Sequence, residues 1–503
     1  MKSILKKISF IGIFFSTLFS FWFAIHNDLN FTSDIARDFL LFNEIYVKKI
    51  VLIGPKSSVA GLFHGPAWLY LNFPAYLIGN GNPVTIEYFW IILTVLFVYS
   101  CYYVGKKLFD ANTGYLFAMT TSLYMFFHIN EFFNPLGAML LIPINFYLFV
   151  RYTEKHQLKF LIPYILILGI IIQFELAIGI PLFILSAIYL LISLIKTKER
   201  LHIFCLFLVI IPLSNFIIFD LRHQFILTHA LLRYLSPQSG DSIKYNYLYM
   251  LFDRLKLMTI NVEILRSDPF YRNAVTGLIT IIFLVIQFLD NKYKKIYLLL
   301  LYFYVGFFVL SLINKGPILY FYFFPLFPII FLIFSSFVTS KYKYVFLIIF
   351  FVVYIMNFST AISDMQTSKT TIGISQQSWK FLNNMASQVY KGKEKEFGYF
   401  VYTPDVIAYA PKYALSYEQR FYKNKVAFYF QKKPVTYIIV APPAASDPYF
   451  SYNWWKTQRL KININPVSTL TFPNGYKIEK YNLNPNQIAV PFDPGIDPGL
   501  TFR

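Results

Sequence analysis

The chain has 503 residues, of which 57% are hydrophobic, 20% aromatic and only 14% charged, with a mean hydropathy of +0.52. That composition excludes a soluble globular protein and defines a polytopic α-helical membrane protein. The formal charge of +20 does not point to nucleic acid, because Lys and Arg fall in short clusters between apolar runs, where membrane topology puts them. Cys101 and Cys205 sit inside apolar runs as small hydrophobes, and no Cys or His spacing of metal type occurs.

The amino terminus, MKSILKKISFIGIFFSTLFSFWFAI, starts like a signal peptide, but its apolar stretch has spanning length and no small-x-small cleavage site follows. It reads as an uncleaved first span with Lys2, Lys6 and Lys7 in the cytoplasm. Further spans are expected near 84–104, 112–128, 135–150, 160–174, 176–195, 202–219, 273–289, 296–313, 317–338 and 344–359, which with 8–25 makes about eleven. Alternate loops are basic: Lys106 and Lys107; Arg151, Lys155 and Lys159; Lys196, Lys198 and Arg200; Lys292, Lys294 and Lys295; Lys341 and Lys343. The short opposite loops hold Glu131, Glu175 and Lys315. This alternation puts 26–83, 220–271 and 360–503 outside the cytoplasm.

The first outside loop, 26–83, opens with NFTSDIARDFLLFNEIY. At helical spacing, Asp34, Arg37, Asp38, Glu44, Lys48 and Lys49 share one arc, and Ile35, Phe39, Leu40, Phe42, Tyr46 and Val47 the other, with Thr32 or Ser33 available as N-cap. Such a helix is expected to lie at the membrane interface with its apolar side on the outer leaflet. The loop continues through Gly54-Pro55 and His64-Gly65-Pro66 turns into a second amphipathic stretch.

The second long outside loop, 220–271, follows FDLRHQF (219–225), and Arg233, Lys244, Arg254, Lys256, Arg266 and Arg272 add positive charge there. Beyond residue 360 the pattern changes. QQSWKFLNNMASQVY (376–390) predicts an amphipathic helix, FGYFVYT (397–403) and VTYIIVAPP (435–443) predict strands, and STLTFPNGYKIEKY (468–481) predicts a hairpin about Pro473-Asn474-Gly475. A small extracytoplasmic α/β or α+β domain over 361–503 follows, with 1–360 as the membrane domain. The last stretch, VPFDPGIDPGLTFR, reads as irregular.

An Asp-x-x-Arg helix after the first span, then a His-Gly-Pro element leading to a second juxtamembrane helix, resembles the GT-C membrane glycosyltransferases. The resemblance is to glycosyltransferase family 39, the group of dolichyl-phosphate-mannose protein mannosyltransferases and bacterial aminoarabinose transferases. NEFFNPLGAMLL (130–141), FDLRHQF (219–225) and YFYFFPLFPIIFL (320–332) are similar to further elements of that group. The sequence departs from it at Ile35, where an acidic residue is usual, and at KGPILYFYFFP, where Lys315 or Tyr320 is the nearest polar group.

The resemblance implies transfer of a hexose or pentose from a polyprenyl-phosphate donor to a protein, lipid or surface glycan at the extracytoplasmic face of the cell membrane. That chemistry needs a base for the acceptor, positive charge at the leaving phosphate and access from the bilayer. Asp34 corresponds to the family's loop aspartate, which activates or positions the acceptor. Asp38, one turn on, either holds Arg37 or Lys48 or is itself the base. Arg222 and His223, at a span exit, suit the donor phosphate, or else Arg222 pairs with Asp220 or snorkels to headgroups. His64 contacts a substrate or stabilises its turn. Glu175 lines a cavity or breaks a helical hairpin. His128 reads as an interfacial side chain. No metal site is assigned, although a divalent cation stays open for enzymes of this type. The rival readings are a lipid-linked glycan ligase or polymerase and a transporter or flippase.

Overall fold

The structure is a computed structural model. It describes residues 2–197, 200–235, 246–259, 264, 270–290, 292–313, 318–404, 407–442 and 451–496. Lys198, Lys244, Arg266, Lys315 and the chain beyond Ile496 lie outside the described residues, as do the side chains of Lys2, Glu131, Lys196, Arg200, Arg272 and Tyr320. The chain divides into two compact units, one of Met1–Trp22, Ile50–Asn72 and Tyr88–Met365, the other of Phe23–Lys49, Phe73–Glu87 and Gln366–Arg503.

The first unit is helical. Six helical segments among the described residues are long and apolar enough to cross a membrane: Pro83–Leu108, Asn134–Lys155, Leu176–Ser193, Leu201–Arg222, Lys294–Ser311 and Lys343–Ser368. Leu158–Phe174, Leu278–Leu289 and Phe327–Thr339 are shorter apolar helices, and helices Lys2–Phe19 and Ala111–His128 occupy two more expected spans. Local chemistry sets the ends. Asp110 caps Ala111–His128 by accepting from the Thr113 amide at 2.8 Å. His156 ends Asn134–Lys155 in the left-handed region (φ 51°).

The helices approach closely where side chains are small or polar. Gly12 leaves room for Tyr354 and Met119, and the Ser16 hydroxyl lies 3.0 Å from the Tyr354 hydroxyl. Asn145 donates to the Tyr164 carbonyl at 2.9 Å, so helices Asn134–Lys155 and Leu158–Phe174 are joined by a buried hydrogen bond. Trp68 is buried between Phe132 and Phe174, over Gly137.

The second unit is built on a five-stranded sheet, ordered β2-β1-β3-β5-β4, with β1 Glu396–Tyr402, β2 Val426–Tyr429, β3 Val435–Val440, β4 Ser468–Thr471 and β5 Lys477–Asn482. β1 runs parallel to β2 and β3, and β5 is antiparallel to β3 and β4. The predicted helix is found as Trp379–Tyr390, capped by Ser378. The hairpin is found as β4 and β5, and both predicted strands are present. Helix Tyr409–Glu418 and strand β2 complete the parallel part and carry no strong alternation in the sequence. Phe400, Ile438, Trp455, Leu460 and Tyr481 form a core on the sheet.

One expectation is corrected here. Most of the apolar side of helix Ser33–Lys48 is covered by protein and not left for a leaflet: Ile35, Phe39 and Phe42 of the expected arc are buried, while Tyr46 and Val47 at its C-terminal end are exposed. Phe39 meets Phe31, Phe42 and Tyr413, and Phe31 meets Trp379, with ring centroids 5.0–5.4 Å apart. An amphipathic pattern reports that one face is apolar and not what covers it.

Candidate functional site

Two groups of the sequence-predicted residues exist, one in each unit, and each is described by itself. In the second unit, Thr32 caps helix Ser33–Lys48 through the Ile35 amide, and Arg37 and Asp38 follow Asp34 by one turn, i+3 and i+4. Arg37 Nη1 donates to Asp34 Oδ1 at 2.6 Å, and its Nε and Nη2 donate to Asp38 Oδ1 at 3.1 and 3.0 Å. The three groups are unequal. The Asp38 side chain is 5% exposed and that of Arg37 12%, against 47% for Asp34. Among the described residues, Asp34 Oδ2 accepts no hydrogen bond. Lys48 pairs instead with Glu44, at 2.9 Å.

Burial works to discharge the Arg37 guanidinium, but Asp38 and then Asp34 outweigh it and hold its pKa above the ordinary value. Arg37 is therefore a permanent cation that fixes one oxygen of Asp34. Tyr409, at the start of helix Tyr409–Glu418, also acts electrostatically on Arg37. The C-terminal sequence thus reaches the acidic helix, which no local pattern signals.

The surrounding frame is polar and specific. Arg420 donates to the Asn80 carbonyl at 2.8 Å and to Asn43 and Tyr76 at 2.6 Å each, while the Tyr413 hydroxyl donates to the Gly81 carbonyl at 2.6 Å. Asp28, buried, accepts from the Ser378 hydroxyl and from the amides of Gly373 and Lys380. Asp28, Tyr409 and Arg420 were not identified from the sequence. Their partners lie hundreds of residues away, beyond any helical or strand period.

In the first unit, Glu175 ends helix Leu158–Phe174 and precedes Leu176–Thr197. It is 2% exposed, so it belongs to a broken hairpin and not to a loop tip. Its carboxylate accepts from Asn134 at 3.0 Å and from the Ala177 amide at 3.2 Å, and His64 Nδ1 stands 3.7 Å from Oε1. The His-Gly-Pro turn is fastened to the same break: the Gly65 amide donates to the Gln173 carbonyl at 2.8 Å, and the Ala67 amide to Gln173 Oε1 at 3.3 Å. Gln173 then donates to Asn215 at 2.7 Å, and Asn215 to the Leu52 carbonyl at 2.8 Å. Gly65 is required, since a Cβ there would enter the Gln173 side chain.

Arg222 is exposed at the end of helix Ile210–Arg222, and no ion pair holds it among the described residues. Asp220 is not its partner: that carboxylate accepts from the Leu227 and Thr228 amides at 2.7 and 3.2 Å and from the Thr228 hydroxyl at 2.5 Å. His223 stacks on Phe219 at 4.0 Å, with Nδ1 2.8 Å from the Phe219 carbonyl oxygen. Gln224 and Phe225 both take positive φ, at 54° and 58°, a costly pair for residues with a Cβ. His128 packs between Tyr124 and Phe324, buried in protein. No group of three or more potential metal ligands occurs among the described residues.

These features define an integral membrane protein of many helices with a small mixed α/β unit. Solved structures identify the particular fold. ArnT from Cupriavidus metallidurans bound to undecaprenyl phosphate superposes with a TM-score of 0.61 at 9% identity, over 97% of this chain and 99% of that one. Its apo state superposes with a TM-score of 0.59 at 8% identity, over 97% and 98%. The chain thus shares the fold of ArnT, in line with the resemblance to the aminoarabinose transferase group seen in the sequence motifs. No protein-family model and no curated protein matches the sequence.

Proposed function

We propose that this protein is a membrane glycosyltransferase that takes its sugar from a polyprenyl-phosphate donor and transfers it at the extracytoplasmic face. The observation that carries the reading is the Asp34–Arg37–Asp38 triad, in which one carboxylate is half-exposed and half-bonded beside a permanent cation. It stands in a fold shared with a protein solved with undecaprenyl phosphate bound.

Asp34 Oδ2 receives the proton of the acceptor hydroxyl as its oxygen bonds to the anomeric carbon. The bond from that carbon to phosphate breaks, and the polyprenyl phosphate leaves with the electron pair. Arg37 keeps Asp34 oriented, and Asp38 keeps Arg37 in place. This choice between the two aspartates follows from exposure, since a general base must reach its proton. Arg222 and His223 supply donors to the phosphate, which a free guanidinium does well. Glu175 and Gln173 hold the His64 turn in its shape.

The test is transfer from labelled polyprenyl-phosphate sugars by purified protein, in wild type, Asp34→Asn, Asp38→Asn and Arg222→Ala. Asp34→Asn should lose about 10²–10⁴-fold in rate. Full activity in Asp34→Asn would remove the assignment of the base. Movement of the donor lipid across the bilayer with no glycosidic bond formed would make the protein a transporter.

A further inference from the structure

The basic end of the first unit carries a feature that the proposed chemistry does not use. Between helices Lys2–Phe19, Pro83–Leu108 and Ala111–His128 runs a groove of about 490 Å³. Its floor is apolar, with Phe10, Phe14 and Val95 among the lining residues, and these three are 69%, 55% and 47% exposed. Its mouth is of different chemistry. Lys6, Tyr102 and Tyr115 line it, the two tyrosine rings are 5.0 Å apart, and Lys106 Nζ stands 5.6 Å over the Tyr102 ring. Lys6 and Lys106 both act electrostatically on the Tyr115 phenol, so the two cations share one locality. Both lysines are exposed, and among the described residues neither meets a carboxylate.

We infer that this groove is a binding site for an anionic diacyl phospholipid, its phosphate between Lys6 and Lys106 and an acyl chain along Phe10, Phe14 and Val95. Uncompensated cations with phenolic donors at the edge of an apolar groove between membrane helices complement an acidic headgroup. Length distinguishes this occupant from the long polyprenyl donor. The lining residues of the first helix run from Lys6 to Thr17, about 16 Å at 1.5 Å per residue. That is roughly half of the ~30 Å hydrocarbon core, the reach of one acyl chain in one leaflet. A lipid seated there would bridge the first helix to its two neighbours.

The experiment uses the full-length protein, delipidated in neutral detergent and then offered dioleoyl-phosphatidylglycerol, dioleoyl-phosphatidylcholine or polyprenyl phosphate in mixed micelles, with soluble glycerol phosphate as competitor. Retained lipid is counted by native mass spectrometry, and thermal stability is followed in parallel. Wild type should retain phosphatidylglycerol in preference. A surface lysine is worth about fivefold in affinity for an acidic membrane lipid. Lys6→Gln with Lys106→Gln should therefore lower the preference by on the order of tenfold or more, and the double Arg variant should keep it. Val95→Trp, which fills the groove at an exposed position, should reduce retention of both lipids. Equal retention of the two lipids by wild type, or an undiminished preference in the double Gln variant, would overturn the inference. So would displacement of phosphatidylglycerol by soluble glycerol phosphate, or stronger retention of polyprenyl phosphate than of phosphatidylglycerol.

Discussion

At the scale of single residues, Arg37 decides how the acidic helix works. A carboxylate as buried as Asp38 is costly without a cation, and Arg37 supplies it with two N–H groups on one oxygen. Removing Arg37 should therefore do more than remove a contact. Arg37→Ala is expected to destabilise the protein by about 3–5 kcal/mol, the usual penalty for stranding one charge of a buried pair, read as a fall in melting temperature in detergent. Asp34→Asn should leave that temperature nearly unchanged while slowing transfer by about 10²–10⁴-fold, since Asp34 is half-exposed. Equal destabilisation by the two substitutions would mean that Asp34 is structural. The acidic and basic positions of this helix were legible in its 100° periodicity. Which aspartate is open was not, because exposure depends on what packs against the helix.

At the scale of elements, the first outside loop is held by backbone geometry that tolerates little change. A Cβ on Gly54 would meet the carbonyl groups of His64 and Gly65, which cannot rotate away. Gly54→Ala is therefore expected to cost about 1–3 kcal/mol, as overpacking typically does, with activity falling in step with stability.

The sheet offers a titratable marker of its own. Burial acts to raise the Glu394 pKa, but the Lys480 ammonium, the residue's own backbone amide and the Tyr437 hydroxyl outweigh it and bring it below the ordinary value. A depressed carboxylate contributes stability that is complete above its unfolded pKa of about 4.3 and is lost as pH falls through the folded value. The melting temperature of wild type should thus exceed that of Glu394→Gln at neutral pH. The gap should close under acid conditions, and a gap that widens on acidification would contradict the pairing.

At the scale of the whole molecule, charge alternation argues an orientation that labelling can check. Cys101 and Cys205 are both free and buried, so introduced thiols report cleanly. Thr469→Cys on the exposed strand β4 should react with a membrane-impermeant maleimide on intact cells. Lys292→Cys, in a basic loop, should react only after permeabilisation. The reverse pattern would invert the assignment of faces and with it the site of transfer.

The sequence by itself determined the membrane class, because the length of each apolar run is set by bilayer thickness and needs no tertiary information. It also determined five of the elements of the C-terminal unit, the helix Trp379–Tyr390, strands β1 and β3 and the β4–β5 hairpin, because their patterning and turn residues are local, and it ordered the motifs that resemble a GT-C enzyme. Only the tertiary structure decided the partners. The apolar face of helix Ser33–Lys48 is covered by Phe31 and Tyr413, Asp220 caps its own turn instead of neutralising Arg222, and Glu175 is buried against Asn134 and the His64 turn. The physical reason is common to all three. Periodicity fixes which side of an element is apolar or charged, whereas pairing and exposure depend on segments far away in the chain, and those meet only when the chain has folded.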